Sequence, residues 1–106
     1  MSQQIIQINF RFNGSAEYYK KTVETIAAKF ANAPGLQWKI WLMNESKMEA
    51  GGIYLFESRE AVTRFRESVL FKSAASYPEF SVKQFDVLEE PSMISHAPLT
   101  VKATGY

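Results

Sequence analysis

Cysteine is absent from the 106-residue sequence, and histidine and aspartate occur once each, as His96 and Asp86. Without cysteine the chain has no disulfide, no thiolate nucleophile and no cysteine-ligated metal. A metal site built on two histidines is equally impossible. A Ser-His-Asp triad would need both single residues, and a solvated or partner-contacting role is the simpler interpretation of a histidine in a proline-flanked segment. We therefore predict no metal ion and no hydrolytic triad.

The sequence also lacks a large net charge and long apolar runs. The formal net charge is +1, so no basic surplus favours nucleic acid. No apolar run approaches the ~20 residues of a membrane span, and the first four residues lack the basic region of a signal peptide. We therefore expect a cytoplasmic protein that binds neither membranes nor nucleic acid. The glycine-rich loops that bind nucleotide phosphates are absent as well, so we expect no cofactor.

Apolar residues make up 46% of the sequence, and their spacing predicts four strands in a single domain, 1–106. Strict alternation of apolar and polar residues predicts the first strand over 4–12. Runs rich in branched and aromatic residues predict the other three strands over 36–43, 51–56 and 80–88. A polar connection, 44–50, joins the second strand to the third.

Two helical stripes lie between these strands. The first follows Ser15 and the second follows Ser58, and both serines suit the N-cap position. Pro34 cannot continue the first helix, and the second is predicted to run through Val69 and Leu70 before it ends near residue 76. From residue 89 onward, prolines and small residues predict an extended tail, 89–106.

The order β-α-β-β-α-β predicts an α+β, ferredoxin-like fold, with an antiparallel four-stranded sheet and two helices on one face. The second and third strands are nevertheless apolar on both sides, because Trp38, Ile40 and Leu42 alternate with further apolar residues. A sheet with one face in water should alternate apolar with polar residues. We therefore expect a homodimer in which a second copy covers the other face.

Two strings of residues resemble the YdhR monooxygenase family. These are P-G-L-Q-W-K-I-W over 34–41 and E-A-G-G-I-Y-L-F over 49–56, and weaker similarity extends over roughly the first 92 residues. The resemblance implies the dimeric α+β barrel fold of small cofactor-independent monooxygenases that oxidise aromatic polyketides to quinones. The function it implies is oxidation of a hydroxylated aromatic molecule with O2, and the alternative is a non-catalytic carrier that uses the same cavity.

The candidate site residues lie in these two strings. Lys39 shares a strand face with Trp41, whereas Trp38 is three residues from Trp41 and points the other way. In the next strand Gly52 and Tyr54 share a face with Phe56, and the strand register decides whether the two sets coincide. Core packing is the alternative interpretation of each aromatic residue.

A cofactor-free oxygenase needs an apolar pocket and a group that favours the substrate anion. We assign the aromatic walls to Trp38, Trp41 and Phe56, and stabilisation of the phenolate to Tyr54 and Lys39. The expected base is Glu49, provided that its loop folds over the pocket. Gly52 permits close approach of a ligand, with a β-bulge as the alternative.

RNA-recognition domains share this element order and carry alternating aromatics on their third strand, as Tyr54 and Phe56 do here. Their motif, however, has Lys or Arg before the glycine, where this chain has Ala50. Together with the near-zero net charge, this residue argues against RNA binding.

Overall fold

The computed structural model describes residues 3–99, in which four strands and four helices follow one another. A short 3₁₀ turn at Glu45–Lys47 joins the second strand to the third. The strands are β1 Gln4–Arg11, β2 Leu36–Asn44, β3 Glu49–Phe56 and β4 Ser81–Asp86, and the helices are α1 Ala16–Ala31, α2 Arg59–Arg66, α3 Val69–Ala75 and α4 Glu89–Ile94. Within residues 3–99 no helix has the length and apolar character needed to cross a membrane.

The sheet has the order β2-β3-β1-β4, and every neighbouring pair is antiparallel. This order and the helical layer on one face confirm the ferredoxin-like α+β prediction. Ile6 and Ile8 of the central strand β1 are fully buried, and they face the helices together with Tyr54 and Phe56 of β3. The main core therefore lies between the sheet and its helices.

The predicted N-caps of the first two helices are confirmed. The Ser15 hydroxyl accepts a hydrogen bond from the Tyr18 N–H at 3.1 Å. The Ser58 hydroxyl accepts a hydrogen bond from the Ala61 N–H, also at 3.1 Å. Each serine satisfies one of the backbone N–H groups that a helix start leaves without an intrahelical partner.

The second helix is not continuous, contrary to the prediction. It ends at Arg66, and α3 begins at Val69, because Ser68 accepts the Phe71 N–H and donates its hydroxyl to the Phe65 carbonyl oxygen. A serine that caps a new helix competes with continuation of the old one. Val69, expected in the buried stripe, is consequently 79% exposed.

The expectation of an extended tail is wrong for Glu89–Ile94, which form α4. Proline is tolerated in the first helical turn, since the N–H it lacks would have no partner there. The two glutamates, Glu89 and Glu90, occupy the same turn, where the helix dipole favours negative charge. Residues 95–99 form no helix or strand, and the remainder of the predicted tail, 100–106, lies outside the described residues.

The sheet face turned away from α1, α2 and α3, which we call the open face, is apolar over β2 and β3, whereas β1 and β4 add polar residues such as Gln7 and Lys83. Trp38 and Ile40 of β2 pair on it with Leu55 and Ile53 of β3. The Trp38 Nε1–H donates to the Pro98 carbonyl oxygen at 2.8 Å, so the segment after α4 covers part of this face. Ile40 nevertheless remains 50% exposed.

Candidate active site

A cavity of about 490 Å³ lies between the helix-covered face of the sheet and the helices α1 and α3. Its size is that of a small-molecule site. The polar groups that reach it are one lysine on β2, three tyrosines, and Thr22, Lys29 and Ser73 from the helices. Its apolar wall includes Phe10, Val23, Ile26, Phe30, Trp41 and Leu70. An apolar cavity with few polar groups suits a flat, largely apolar ligand with a small number of oxygen atoms.

The lysine on β2 is Lys39, whose Nζ lies against the faces of three aromatic rings. It is 3.2 Å from the centre of the Trp41 ring, 3.5 Å from that of Phe30 and 4.5 Å from that of Tyr54. Within residues 3–99 no carboxylate forms an ion pair with this amine. Among the described residues, the amine contacts these three ring faces.

The strand register explains how Lys39 comes to lie there. Lys39 pairs with Tyr54 across β2 and β3, and Trp41 pairs with Gly52. An added Cβ at Gly52 would lie 2.8 Å from the Lys39 Cε and 3.4 Å from the Tyr54 Cε1. The absence of a side chain at position 52 thus provides the space that the lysine stem occupies.

Burial lowers the pKa of Lys39 from 10.5 to about 7, because the charged amine loses its hydration. The surrounding aromatic rings favour a higher pKa, since the negative charge on their faces attracts the ammonium form. An amine with a pKa near neutrality can accept a proton from a ligand and then hold the resulting anion.

Burial also keeps the tyrosine hydroxyls protonated. It raises the pKa of Tyr54 well above its usual value of 10, and nearby Tyr19 adds to this effect. It raises the pKa of Tyr19 to about 12, with a contribution from Tyr77. The Tyr19 and Tyr77 rings meet edge to face with centres 6.4 Å apart, and at neutral pH the hydroxyls of Tyr19 and Tyr54 remain hydrogen-bond donors.

The structure brings together Lys39, Trp41 and Tyr54 among the predicted site residues, with Gly52 beneath the lysine. The predicted residues of β2, Lys39 and Trp41, therefore lie on the same helix-covered face of the sheet as Gly52 and Tyr54 of β3. The pairing of β3 with β1 and with β2 continues without interruption through Gly52. The pairing of β2 with β3 is irregular elsewhere, between residues 36 and 38 of β2. The alternative of a bulge at the glycine is therefore wrong.

Four predicted residues do not line the cavity: Gly52, which lies beneath Lys39, and three residues that lie elsewhere. Phe56 is fully buried in the core, where its ring centre lies 5.1 Å from that of Phe65. Trp38 lies on the open face, as strand alternation requires. Glu49 is exposed at the start of β3, five residues from Tyr54 and therefore on the opposite face. Its loop does not fold over the cavity, so the assignment of Glu49 as the base is corrected.

Sequence reasoning missed Tyr19 and Tyr77 as site residues. Tyr19 lies in the first predicted helical stripe, and Tyr77 lies just after residue 76, near which the second helix was expected to end. The available signal was a hydroxyl-bearing ring in an otherwise aliphatic stripe, because a buried tyrosine needs a partner for its hydroxyl. The structure also shows no group of three or more His, Cys, Asp or Glu side chains within residues 3–99 that could hold a metal ion.

Comparison with known proteins gives one family and a set of similar structures. The family model described as "Putative mono-oxygenase ydhR" matches residues 5–98. No curated protein matches the chain significantly.

The solved structures that resemble this chain include an oxygenase. SnoaB, a cofactor-independent oxygenase from Streptomyces nogalater, has a TM-score of 0.64 at 17% identity, over 85% of this chain and 100% of its own. A putative antibiotic biosynthesis monooxygenase from Caulobacter crescentus gives 0.65 at 18%, over 83% and 92%. NE2512, a protein of unknown function from Nitrosomonas europaea, gives 0.69 at 11%, over 96% and 98%. These similarities confirm the expected fold, that of the dimeric α+β barrel proteins.

Proposed function

The chain belongs to the ydhR family of putative mono-oxygenases, and from this premise we propose that it oxidises a hydroxylated aromatic molecule with O2 and without a cofactor. The observation that carries the proposal is the Lys39 amine, which lines an apolar cavity and has no acidic partner within residues 3–99. The similarity in fold to a cofactor-independent oxygenase supports it.

In the first step the substrate hydroxyl transfers its proton to the neutral amine of Lys39. A pKa of about 7 leaves a large fraction of this amine neutral at physiological pH. The resulting ammonium group pairs with the substrate oxyanion, and between largely apolar walls this attraction is stronger than in solution. The Tyr54 hydroxyl, which stays protonated, donates a hydrogen bond to the same oxyanion.

In the second step the electron-rich anion reacts with O2. One electron passes from the anion to O2, and the substrate radical and superoxide then combine to form a C–O bond. The product of this combination, once protonated, is a hydroperoxide, which loses water and leaves a carbonyl group. In total, a CH2 group of the substrate and O2 become C=O and H2O. The substrate supplies all four electrons, and the protein contributes a base, charge stabilisation and a dry site.

The test is O2 uptake with a panel of hydroxylated polycyclic aromatics that includes an anthrone-like phenol, without added metal, flavin or haem. Catalysed uptake is expected, and Lys39→Met should lower its rate by about a hundredfold, the typical effect of losing one group that stabilises developing charge. Lys72→Met, at an exposed position outside the cavity, is the matched control. Saturable binding without uptake would favour the carrier alternative.

We further propose that the chain forms one domain that works as a homodimer through the open face. Ile40 and Phe85 lie on this face and are about half exposed, and such residues suit a sheet-to-sheet contact. The contact should bury more than ~1,000 Å² in total. Trp41 and Tyr54 both face the helices, so Ile40→Asp is the informative change. It should lower the sedimentation mass towards 12.1 kDa, whereas a wild-type protein that sediments as a monomer at micromolar concentration would contradict the proposal.

A further inference from the structure

The Lys39 amine lies among apolar walls without an acidic partner. The residues that line its cavity include no aspartate or glutamate, and within residues 3–99 no carboxylate forms an ion pair with the Nζ. The second amine of the lining is that of Lys29 on α1, which is exposed. The other titratable groups of the lining are the hydroxyls of Tyr19 on α1, Tyr54 on β3 and Tyr77 after α3. Lys39 is therefore the strongest nucleophile that the described lining offers to a ligand, once its amine has lost its proton.

The neutral amine of Lys39 keeps its lone pair free. The Nζ lies 3.2 to 4.5 Å from the centres of three aromatic rings, within the range of cation–π attraction. That attraction acts on the positive charge, so it holds the ammonium form and not the neutral one. Burial lowers the pKa of Lys39 to about 7, which leaves about half of the amine neutral at pH 7. A solvated lysine has a pKa of about 10.4, and less than about 0.1% of it is neutral at this pH.

An apolar cavity favours the product that a neutral amine forms with an aldehyde. The lone pair of the amine nitrogen attacks the carbonyl carbon, and the π electrons of the carbonyl group pass to its oxygen atom. The oxygen takes one proton from the nitrogen, and the hydroxyl group then leaves with the second nitrogen proton as water. The product is an imine, with a C=N bond between the lysine and the ligand. Because this imine carries no charge, apolar walls penalise it far less than they penalise an ammonium group.

The ring contacts and the cavity wall select the carbonyl compound. Rings on three sides of the Nζ restrict its approach, so a carbonyl carbon with one substituent, as in an aldehyde, fits better than one with two. The apolar, partly aromatic wall of a cavity of about 490 Å³ suits a flat, apolar molecule. We propose that Lys39 is a covalent modification site, at which flat, apolar aldehydes bind reversibly as imines. This reaction is separate from the proposed oxidation, which uses the same amine as a base, and such aldehydes should therefore inhibit that oxidation.

The test is reductive trapping with 2-naphthaldehyde and sodium cyanoborohydride at pH 7 under nitrogen. Cyanoborohydride delivers hydride to the protonated imine and leaves a stable secondary amine, which adds the mass of the aldehyde less one oxygen atom. Peptide mapping by mass spectrometry then gives the extent of modification at each lysine. The wild type is compared with Lys39→Met and with Lys72→Met, whose position is exposed and outside the cavity. Lys29 serves as a control within each map, since it lines the cavity but is exposed.

At pH 7 the modification of Lys39 should exceed that of Lys29 and Lys72 by at least about tenfold, because its amine is far more often neutral. Lys39→Met should lack this dominant adduct, and Lys72→Met should retain it. Between pH 8 and pH 9 the preference for Lys39 should fall about tenfold, since Lys39 is already neutral there whereas solvated lysines gain neutral amine. Equal modification of all lysines at pH 7, or an undiminished yield of adduct in Lys39→Met, would show that Lys39 is not the site. Because O2 is excluded, this result is independent of whether the protein oxidises a phenol.

Discussion

Replacement of Lys39 by methionine should stabilise the folded protein, and the gain should shrink as the pH rises. Methionine keeps the length of the stem and can pack against the same three rings. In the wild type, the pKa of Lys39 is about 7 in the folded state and 10.5 when the amine is solvated. The unfolded chain therefore binds more protons between these two values, and the stability of the wild type rises with pH across this window.

The size of the effect follows from the same two pKa values. Each tenfold change in proton affinity corresponds to about 1.4 kcal/mol, so the wild type carries a penalty of at most about 5 kcal/mol below pH 7. The ring faces reduce this penalty by stabilising the ammonium form. Between pH 7 and pH 9 the difference in unfolding free energy between Lys39→Met and the wild type should fall by about 2 kcal/mol.

The assay is urea unfolding at pH 6, 7, 8 and 9, at one protein concentration, with Lys72→Met as the exposed control. The control should differ from the wild type by less than about 0.5 kcal/mol at every pH. If the difference in unfolding free energy between Lys39→Met and the wild type stays constant from pH 6 to pH 9, the Lys39 amine titrates as a solvated lysine does, and its lowered pKa is wrong.

Three further changes test other parts of the account. Gly52→Ala should displace the Lys39 stem, lower the unfolding free energy by about 1–3 kcal/mol and raise the Kd of hydroxylated ligands, as measured by urea unfolding and calorimetry. Ser58→Ala should remove the N-cap of α2 and cost about 1 kcal/mol in the same unfolding assay, without affecting ligand binding. If Lys39 is the base, kcat/KM for O2-dependent oxidation should rise with pH through about 7, and a pH-independent rate from pH 5 to 9 would exclude that role.

The fold was predictable from the sequence because its signals are local. The alternation in β1, the serine caps at Ser15 and Ser58 and the stop before Pro34 each depend on neighbouring residues only. The double-sided apolar pattern of β2 and β3 indicated the open face for the same reason. The break at Ser68 was missed because a serine can either continue a helix or cap the next one, and packing decides between them.

The site was only partly predictable because it depends on pairing between distant segments. Lys39 and Tyr54 were chosen for their chemistry, but their contact follows from the register of β2 against β3. Glu49 was assigned to a loop over the pocket, whereas the strand begins at that residue and turns its side chain away. Tyr19 and Tyr77 come from two different segments, and only the packing of α1 and α3 over the sheet brings them together.

The absorption spectrum of an anthrone-like phenol, bound to the protein without oxygen at pH 7, reports whether Lys39 removes the substrate proton. We expect the wild type to bind the phenol as its anion and Lys39→Met to bind it in the neutral form, and admission of O2 to the wild-type complex should then consume one molecule of O2 per bound anion. A bound phenol that is neutral in both proteins and stable after O2 is admitted would show that Lys39 is not the base.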